Sequence, residues 1–330
     1  MRTRVVVALL AVALSVAGCG SSAAPVSVSV TPVEPWPAGA TEVTTAPAMG
    51  VTTAPAAGDA DCGDREASLR PGPLPTPGAM PPGSTMAAIA QRGRLIAGVD
   101  QDTYLFGFRN PATGQLEGFD IDIAREVARA IFGDPDRIQL RVLNPNQRES
   151  ALQSGEVDVV VRTYSITCAR KKLVDFSTVY YEANQKILSV KGSGIDYFAA
   201  LSGKRVCAVS GTTSLSKLFE LEPPAKIVGA TTWTDCLLML QQGQVDAIST
   251  DDAVLKGLAR QDPNVNVVGD SIAKEPYGIG VNHQQEDLVR FVNGVLEKIR
   301  NDGTWERLYA ARLLEELGPS PGPPQPRYED

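Results

Sequence analysis

Histidine is nearly absent from this sequence, and the five cysteines include no pair at the close CxxC spacing of zinc and redox sites. His283 is the single histidine, so we expect no metal centre. Basic residues are not in excess. Since 31 lysines and arginines face 38 acidic residues, giving a net charge of −7, a nucleic-acid partner is not expected. The apolar run near the start, from Val5 to Val16, is too short to cross a bilayer core of about 30 Å.

The first residues have the pattern of an export signal. Arg2 and Arg4 precede the apolar run, and Val16-Ala17-Gly18-Cys19 ends it. This ending resembles the lipobox of bacterial lipoproteins, in which small residues precede a cysteine that becomes the lipidated N-terminus. We therefore expect residues 1–18 to be a signal peptide and Cys19 to anchor the protein to the outer face of the cell membrane. A generic signal peptide with an incidental cysteine is the alternative.

Proline is spread unevenly along the chain. Of the 24 prolines, 12 lie in residues 20–83 and five in residues 319–326. Segments of this composition cannot bury enough apolar surface to fold alone. We expect residues 19–83 to be a disordered tether and residues 313–330 to be a proline-rich tail, with the compact part between them.

The remaining four cysteines are an even number in a protein that is expected to enter an oxidising compartment. They permit three disulfide connectivities, and the sequence alone does not choose among them. We prefer Cys207 with Cys236, because both fall between a predicted strand and the next helix. Cys62 and Cys168 are then left as the second pair, which would pin part of the tether onto the domain.

Short apolar strands alternate with helical stripes through the compact part, a pattern typical of α/β proteins with mainly parallel sheets. Residues 94–99 predict a strand, and the spacing of apolar residues from Asp120 to Ile131 predicts a helix. A helix followed by Gly-x-Val-Asp and an apolar strand occurs at residues 149–161 and again at 235–249. This loose repeat predicts two similar lobes instead of one large sheet.

Five motifs in a fixed order carry a family resemblance. They are Gly118-Phe119-Asp120-Ile121-Asp122-Ile123, the block from Ser165 through Arg170 to Ser177, Gly211-Thr212-Thr213, the block from Val245 to Asp251, and Pro276-Tyr277-Gly278-Ile279. Together they resemble the landmarks of family 3 bacterial extracellular solute-binding proteins, the amino-acid receptors of ATP-driven uptake systems. Each motif alone is common, whereas the ordered set is specific.

The resemblance implies a type II periplasmic-binding-protein-like fold, in which two similar α/β lobes are joined by a two-segment hinge. Lobe 1 would combine residues 84–188 with 279–312, and lobe 2 would be residues 189–278. Closure of the hinge would trap a free amino acid between the lobes. The implied partners are that amino acid and an ABC permease. No cofactor and no catalytic residue are implied, and we expect a monomer.

A free amino acid carries a carboxylate and an ammonium group, and each needs a partner when both leave water. Because a guanidinium matches a carboxylate through two parallel hydrogen bonds, Arg170 is the candidate for the α-carboxylate. Ser165 and the N–H groups of Thr212 or Thr213, at a predicted helix start, would assist. Asp251 matches the family's ligand aspartate and would hold the ammonium group. The alternatives are that Arg170 is a surface charge and that Asp251 is a helix N-cap.

Two further arginines bear on which amino acid is bound. Arg148 looks similar to an arginine of the glutamate- and aspartate-binding branch that reaches the second carboxylate of the ligand. Arg162 ends the apolar strand 157–161, where relatives often carry Ala or Gly. Together with Arg170 these residues favour a dicarboxylic amino acid and disfavour lysine or arginine. Alternatively, Arg148 is an exposed helix residue and Arg162 pairs with an internal acid.

Three more residues complete the candidate set of ligand-binding residues. Many relatives place an aromatic ring in the first turn of the domain, where it stacks on the ligand. Here Thr103 is nearest that position and Tyr104 is one place beyond it, so the stacking role of Tyr104 stays open. Thr163 lies beside the second motif, and Tyr277 lies within the fifth.

The expected protein is an extracytoplasmic, lipid-anchored receptor for glutamate or aspartate, with asparagine and glutamine as further options. A lipoprotein that signals amino-acid availability to a membrane sensor would use the same binding chemistry, and the sequence does not separate the two. Exported dehydratases share the fold. However, the sequence has no Ser/His pair, no phosphate-binding glycine loop and no metal cluster that would favour an enzyme.

Overall fold

A computed structural model of the chain describes residues 35–46 and 62–330. The predicted signal peptide, Cys19 and the rest of the predicted tether lie outside the described residues. Within the part that the structure describes, no helix is both long enough and apolar enough to span a membrane.

The elements of the described residues alternate in the manner of α/β proteins. The helices are α1 (Thr85–Arg92), α2 (Phe119–Phe132), α3 (Arg148–Gln153), α4 (Cys168–Lys171), α5 (Thr213–Leu218), α6 (Trp233–Gln241), α7 (Asp252–Ala259), α8 (Glu286–Asn301), α9 (Thr304–Arg312) and α10 (Leu314–Leu317). The strands are β1 (Thr41–Val43), β2 (Ala67–Ser68), β3 (Leu95–Val99), β4 (Asp102–Thr103), β5 (Gly107–Arg109), β6 (Leu116–Glu117), β7 (Ile138–Val142), β8 (Val159–Val160), β9 (Asp175–Phe176), β10 (Tyr181–Val190), β11 (Arg205–Val209), β12 (Lys226–Ala230), β13 (Ala247–Asp251), β14 (Val265–Val268), β15 (Lys274–Tyr277), β16 (Gly280–Val281) and β17 (Arg327–Tyr328).

Lobe 1 is built on a sheet with the strand order β7-β3-β8-β16-β9. The central pairs of β3 with β7 and β8 are parallel, whereas β16 is antiparallel to both of its neighbours. Helix α2 buries the apolar stripe that the sequence predicted, in one core with residues of α8 and α9. Gly118 precedes α2 with a φ of +129°, and a Cβ there would lie 2.2 Å from the carbonyl oxygen of Phe106. The tight turn into α2 therefore needs glycine.

Lobe 2 is built on a sheet with the strand order β1-β12-β11-β13-β10-β14. Strand β11 is parallel to β12 and β13, whereas β10 is antiparallel to β13 and β14. Buried residues of α5, α6 and α7 form one apolar core with this sheet. The sheet is therefore mixed, with parallel strands at its centre.

Strand β10 passes from one lobe to the other. Residues 181–184 pair with β15, and residues 185–190 pair with β13 and β14 of lobe 2. The chain returns to lobe 1 through β15 and β16. At this crossing the ring of Tyr277 lies 5.6 Å from that of Tyr181 and 6.0 Å from that of Phe106. The prediction of two α/β lobes with a two-segment hinge is confirmed.

The prediction of unstructured flanks is wrong for parts of both. Strand β1 pairs antiparallel with β12 at the edge of the lobe 2 sheet, and β17 pairs in parallel with β2. Leu69, Leu74 and Met80 pack against the core of lobe 1. These segments find their partners on distant parts of the chain, whereas composition indicates only that they cannot fold alone.

Both disulfides have the predicted pairing. Cys207 of β11 is bonded to Cys236 of α6 within the core of lobe 2. Cys62 is bonded to Cys168, the first residue of α4, with a Cα–Cα distance of 5.5 Å. The second bridge ties the segment ahead of lobe 1 to the helix that carries Arg170.

Candidate functional site

A narrow cavity lies between the lobes and is lined by residues of both. Lobe 1 contributes side chains from α3, from α4 and from the loop after β8, and lobe 2 contributes side chains from β13, α5, α6 and α7. The lining residues are Arg148, Arg162, Thr163, Ser165, Arg170, Thr212, Thr213, Ser214, Trp233, Thr250, Asp251 and Val254. Eight of the predicted ligand-binding residues are therefore brought together, and Tyr104 and Tyr277 are not among them.

Arg170 is held by α4, whose N-cap Thr167 accepts a hydrogen bond from the Arg170 backbone N–H. Its side chain is only 3% exposed, so the alternative of a surface charge is wrong. Nη1 donates to the carbonyl oxygen of Ser165 at 2.7 Å, and Nη2 donates to that of Gly211 at 3.1 Å. Nε lies 3.5 Å from Oε1 of Glu149 and is buried without a hydrogen-bond partner among the described residues.

Arg148, the first residue of α3, is 2% exposed, so the alternative of an exposed helix residue is wrong as well. Nε donates to the carbonyl oxygen of Pro145, and Nη2 donates to that of Gly211, both at 3.0 Å. The guanidinium carbon lies 4.2 Å from the ring centroid of Tyr164, and that of Arg170 lies 5.0 Å from the same ring. Burial and the charge of Arg170 lower the pKa of Arg148 to about 9. An anion placed here would stabilise both charges.

Gly211 brings a backbone carbonyl of lobe 2 onto both arginines of lobe 1. Its φ is +79°, and a Cβ at this position would lie 2.1 Å from Oδ1 of Asn146. The positive φ favours glycine, and an added Cβ would also lie 3.1 Å from the backbone nitrogen of Asn146, so this turn of lobe 2 packs closely on lobe 1. The site is therefore described with the two lobes in contact.

Arg162 lines the cavity but is already paired. Nη2 lies 3.1 Å from Oδ2 of Asp100, and Nε donates to the carbonyl oxygen of Leu143 at 2.7 Å. Arg162 and Asp100 are both buried. The structure therefore favours the open alternative, in which an internal acid balances Arg162, and leaves Arg148 and Arg170 as the cations near Glu149.

Asp251, at the end of β13, occupies the N-cap position of α7 but makes no side-chain capping bond. Oδ2 accepts a hydrogen bond from the hydroxyl of Tyr277. Oδ1 is buried and has no hydrogen-bond partner among the described residues. Burial and the nearby carboxylate of Glu275 raise the pKa of Asp251 well above its ordinary value. A cationic partner would reverse this effect, so the carboxylate is suited to receive an ammonium group.

The hydroxyl groups of the two threonines of lobe 2 donate their protons to acceptors within lobe 2 or the hinge. Thr212, the N-cap of α5, donates its hydroxyl to the carbonyl oxygen of Val209 at 2.6 Å and accepts from the N–H of Leu215. Thr213 donates its hydroxyl to Oε2 of Glu275 at 2.8 Å. Neither hydroxyl proton is left for a ligand carboxylate, so the help to Arg170 predicted for these two residues stays that of their backbone N–H groups.

Thr163 and Ser165 are presented by a constrained loop. Thr163 has a φ of +38°, which is uncommon for a β-branched residue. Its backbone N–H donates to Oδ2 of Asp120 at 2.8 Å, and the hydroxyl of Tyr180 donates to Oδ1 at 2.7 Å. Burial raises the pKa of Asp120 to about 6, against the lowering effect of these hydrogen bonds. Asp120 of the first motif thus fixes the loop that carries part of the site.

The aromatic side chain that lines the cavity is not among the predicted ligand-binding residues. Tyr104, the candidate for stacking on the ligand, does not line the cavity, and its ring packs edge-on against Phe108 with the centroids 5.2 Å apart. Trp233, the first residue of α6, lines the cavity from lobe 2. Its sequence signal is a large ring at the start of an apolar helix, which equally indicates a core residue.

The described residues include no group of three or more His, Cys, Asp or Glu side chains placed to hold a metal ion. His283 lies in a loop of lobe 1, where Nδ1 is 2.7 Å from Oδ1 of Asp175. Neither His283 nor Asp175 lines the cavity.

This arrangement agrees with the comparisons with known proteins. The sequence profile of the bacterial extracellular solute-binding proteins, family 3, matches residues 95–313. The chain belongs to this family. One relative of this solute-binding protein is the "ABC transporter glutamine-binding protein GlnH" of Bacillus subtilis, 40% identical over 233 residues, which cover 70% of this chain and 85% of that protein.

Two further comparisons extend the likeness. The "Glutamate-binding protein GluB" of Corynebacterium glutamicum is 31% identical over 246 residues, which cover 71% of this chain and 83% of that protein. The solved structure of a solute receptor for L-cysteine from Neisseria gonorrhoeae has a TM-score of 0.69 and 28% identity, covering 72% of this chain and 98% of the other. The chain is therefore a solute-binding receptor and not an enzyme.

Proposed function

We propose that this solute-binding protein captures a dicarboxylic amino acid, glutamate or aspartate, and delivers it to an ABC permease. The observation that carries the proposal is the position of two buried arginines in one cavity. Arg148 and Arg170 line it from lobe 1, and Asp251 lines it from lobe 2. A ligand with two carboxylates and one ammonium group has one partner for each of these three charges.

Arg170 is the partner of the α-carboxylate. Its guanidinium group is buried and lines the cavity, and its Nε lies 3.5 Å from Oε1 of Glu149 without making a hydrogen bond among the described residues. Asp251 is the partner of the ammonium group, because its Oδ1 is likewise buried without a partner in the described part of the chain. A ligand that joins these two residues links lobe 1 to lobe 2 and so stabilises the closed state.

Arg148 is the residue that binds the side-chain carboxylate of the ligand and so determines specificity. Its charge is balanced only in part, since Glu149 lies beside both Arg148 and Arg170 and its pKa is lowered by both arginines in spite of burial. A side-chain carboxylate supplies the missing negative charge, whereas lysine or arginine would add a third cation. Asparagine and glutamine stay as weaker candidates, because an amide oxygen can accept from a guanidinium without balancing its charge.

The names of the relatives support an amino-acid ligand of this size. One relative is named for glutamine and another for glutamate. A third relative, from Rhodobacter capsulatus, is named for glutamate, glutamine, aspartate and asparagine. Acidic amino acids and their amides are therefore the ligand class to test.

The ligand proposal is tested by isothermal titration calorimetry of the purified protein against each of the twenty amino acids. The protein is first unfolded, dialysed and refolded so that carried-over ligand is removed. We expect glutamate or aspartate to bind most tightly, the amides more weakly, and lysine and arginine not at all. Tightest binding of glutamine with no measurable binding of either acid would reject the dicarboxylic ligand. Binding of none of the twenty would reject an amino-acid receptor.

We also propose that the protein works outside the cytoplasm, anchored through a lipid on Cys19. The lipobox-like ending Val16-Ala17-Gly18-Cys19 supports this placement. The alternative partner is a membrane sensor that responds to the closed receptor. Uptake of labelled glutamate by cells that lack the protein separates the two roles, because a permease partner requires uptake to fall and a sensor partner does not.

A further inference from the structure

The helix that carries Arg170 is held from outside the cavity by the segment of residues 62–70 and by the last four residues of the chain. Cys168, the first residue of α4, is bonded to Cys62. Lys171, the last residue of α4, donates to the carbonyl oxygen of Ala67 at 2.9 Å and lies 3.5 Å from the carboxylate of Glu329. Residues 62–70 and 327–330, which supply these contacts, are here named the terminal clasp.

The two halves of the terminal clasp bind each other. Strands β2 and β17 pair in parallel, with Arg327 opposite Ala67. Nη1 of Arg327 lies 3.2 Å from Asp64, and the carboxylate of Asp330 accepts from the backbone N–H of Arg70 at 2.7 Å. Exposed ion pairs contribute little each, but the strand pairing and the charges together join the two segments into one unit.

The terminal clasp is also fixed to the core of lobe 1. Ser68 donates its hydroxyl to the carbonyl oxygen of Phe176 at 2.6 Å. Asn293 of α8 is fully buried, donates to Ser68 Oγ at 2.8 Å and to the carbonyl oxygen of Leu69 at 2.7 Å, and accepts from the N–H of Thr178. Because Ser68 and the carbonyl group of Leu69 are hydrogen-bonded to buried groups of lobe 1, this part of the clasp is fixed to the lobe.

Helix α4 needs such a support. It has only four residues, far fewer than the roughly 12–15 that an isolated helix needs for marginal stability. The family profile matches residues 95–313, so the terminal clasp lies outside the matched part of the chain. A side chain that is already fixed loses less conformational entropy when a ligand binds.

We propose that the terminal clasp positions Arg170 for the ligand carboxylate by fixing α4 at both of its ends. The inference rests on the proposed function, in which Arg170 holds the α-carboxylate. Cys62, Cys168, Lys171 and Glu329 act as positioning residues, and none of them lines the cavity. Without the clasp, α4 and the Arg170 side chain are less ordered. The ligand must then order Arg170 when it binds, and we expect this cost alone to lower the affinity.

The test is a double-mutant cycle measured by calorimetry with glutamate on the full mature protein. The variant Cys62→Ser/Cys168→Ser is compared with the wild type, once with Arg170 and once in an Arg170→Lys background. In the background that keeps Arg170, we expect the cysteine variant to bind glutamate about 3- to 10-fold more weakly than its parent, the cost of ordering one side chain. In the Arg170→Lys background, the same cysteine changes should weaken binding much less. The matched control is Cys207→Ser/Cys236→Ser, which removes the lobe 2 disulfide and should have the same effect in both backgrounds.

A second variant, Lys171→Met, removes both contacts of the lysine and keeps the disulfide and the apolar stem. It should lower the affinity for glutamate when Arg170 is present and lower it much less in the Arg170→Lys background. This variant replaces the disulfide variant in the test if the latter does not fold. Wild-type affinity in the clasp variants, or an equal loss in both backgrounds, would overturn the inference. Absence of amino-acid binding by the wild type would overturn the proposed function as well, so the two failures are distinguishable.

Discussion

The hydroxyl of Tyr277 donates a hydrogen bond to Oδ2 of Asp251, while Oδ1 of that carboxylate is buried without a partner among the described residues. Tyr277 belongs to the hinge strand β15, and Asp251 ends the central strand β13 of lobe 2. The hinge thus orients the carboxylate and leaves its second oxygen for the ligand. A buried anion with an unsatisfied oxygen destabilises the protein until a cation arrives.

Asp251→Asn should therefore have opposite effects on binding and on stability. Affinity for glutamate or aspartate should fall about 30- to 5,000-fold, because the ligand ammonium loses the partner of a desolvated charge pair. The free energy of unfolding of the ligand-free protein at pH 7 should rise, since a neutral amide replaces a buried carboxylate beside Glu275. Calorimetry and urea denaturation measure the two quantities.

The matched control is Asp252→Asn at the next position. The Asp252 carboxylate accepts from the N–H groups of Asn184 and Ala253, and the residue does not line the cavity. It should leave the affinity nearly unchanged and lower the stability slightly, as for a lost charge at a helix start. Equal loss of affinity in both variants would contradict the assignment of Asp251 to the ligand ammonium.

Much of the site could be predicted because its residues sit in local patterns. Arg170 and Asp251 each lie at a fixed place in a motif, next to a strand or helix that the apolar periodicity predicts. The parallel strands then bring the two motifs to facing edges of two lobes. The motifs that resemble those of family 3, together with the local pattern, were sufficient to place these two residues at the cavity.

The remaining features depend on contacts between distant residues. Arg162 meets Asp100 across lobe 1, 62 positions apart in sequence, and no spacing rule joins them. Strands β1 and β17 take their partners from β12 and β2, so proline content gave the wrong prediction for them. Trp233 lines the cavity because of how α6 lies against it, and a ring of that kind usually indicates core packing.

Arg148→Ala should weaken glutamate and aspartate far more than glutamine and asparagine. Removal of one partner of a desolvated charge pair costs about 2–5 kcal/mol, or roughly 30- to 5,000-fold in affinity, and an amide ligand leaves no stranded charge. Calorimetric titration of the four ligands against wild type and variant measures the ratio. Arg170→Ala is the contrast, because every amino acid presents an α-carboxylate and all four should weaken together.

A general folding defect would lower the affinity for acids and amides equally in both variants. The ratio of acid to amide affinity is therefore the quantity that decides, and it should change for Arg148→Ala alone. An unchanged ratio in that variant would remove the main support for a dicarboxylic ligand, since Arg162 is already paired with Asp100.

The buried carboxylate of Asp120 predicts a pH dependence of stability. Burial raises its pKa to about 6 in the folded protein, above the value of 3.8 expected for the unfolded chain. The folded state therefore holds the proton more tightly, and this contribution is present below about pH 4 and is lost as the pH rises through 6. The shift corresponds to about 3 kcal/mol.

Asp120→Asn keeps an oxygen acceptor for the Thr163 N–H and removes the titration. From pH 4 to pH 7, the free energy of unfolding of the wild type should fall relative to that of the variant by about 2 kcal/mol, measured by urea denaturation at each pH. Parallel pH profiles of the two proteins would show that the carboxylate does not titrate in this range.

Cys19→Ala should release the protein from the membrane, because the proposed anchor is a lipid on this cysteine. Fractionation of cells and phase partitioning in detergent measure the change. We expect the wild type in the detergent phase and the variant in the aqueous phase. If the variant stays in the detergent phase, a lipid on Cys19 is excluded as the anchor. If the wild type is cleaved by a signal peptidase but carries no lipid, the first residues are a generic signal peptide.

Gly211→Ala should weaken every amino acid, because it blocks the approach of the lobes. An added Cβ would lie 2.1 Å from Oδ1 and 3.1 Å from the backbone nitrogen of Asn146 in lobe 1, so Asn146 must shift before the lobes can close. The matched control is Gly243→Ala in lobe 2. Its φ of +69° is similar, but nothing lies within 4 Å of the added Cβ, so it shares the backbone strain without the contact between lobes.

Relative to this control, Gly211→Ala should lose about 5- to 150-fold in affinity, equivalent to about 1–3 kcal/mol of overpacking. Calorimetry measures this loss, and small-angle scattering should show ligand-induced compaction in the control alone. Equal affinities in the two alanine variants would mean that the lobes close without bringing Gly211 against Asn146.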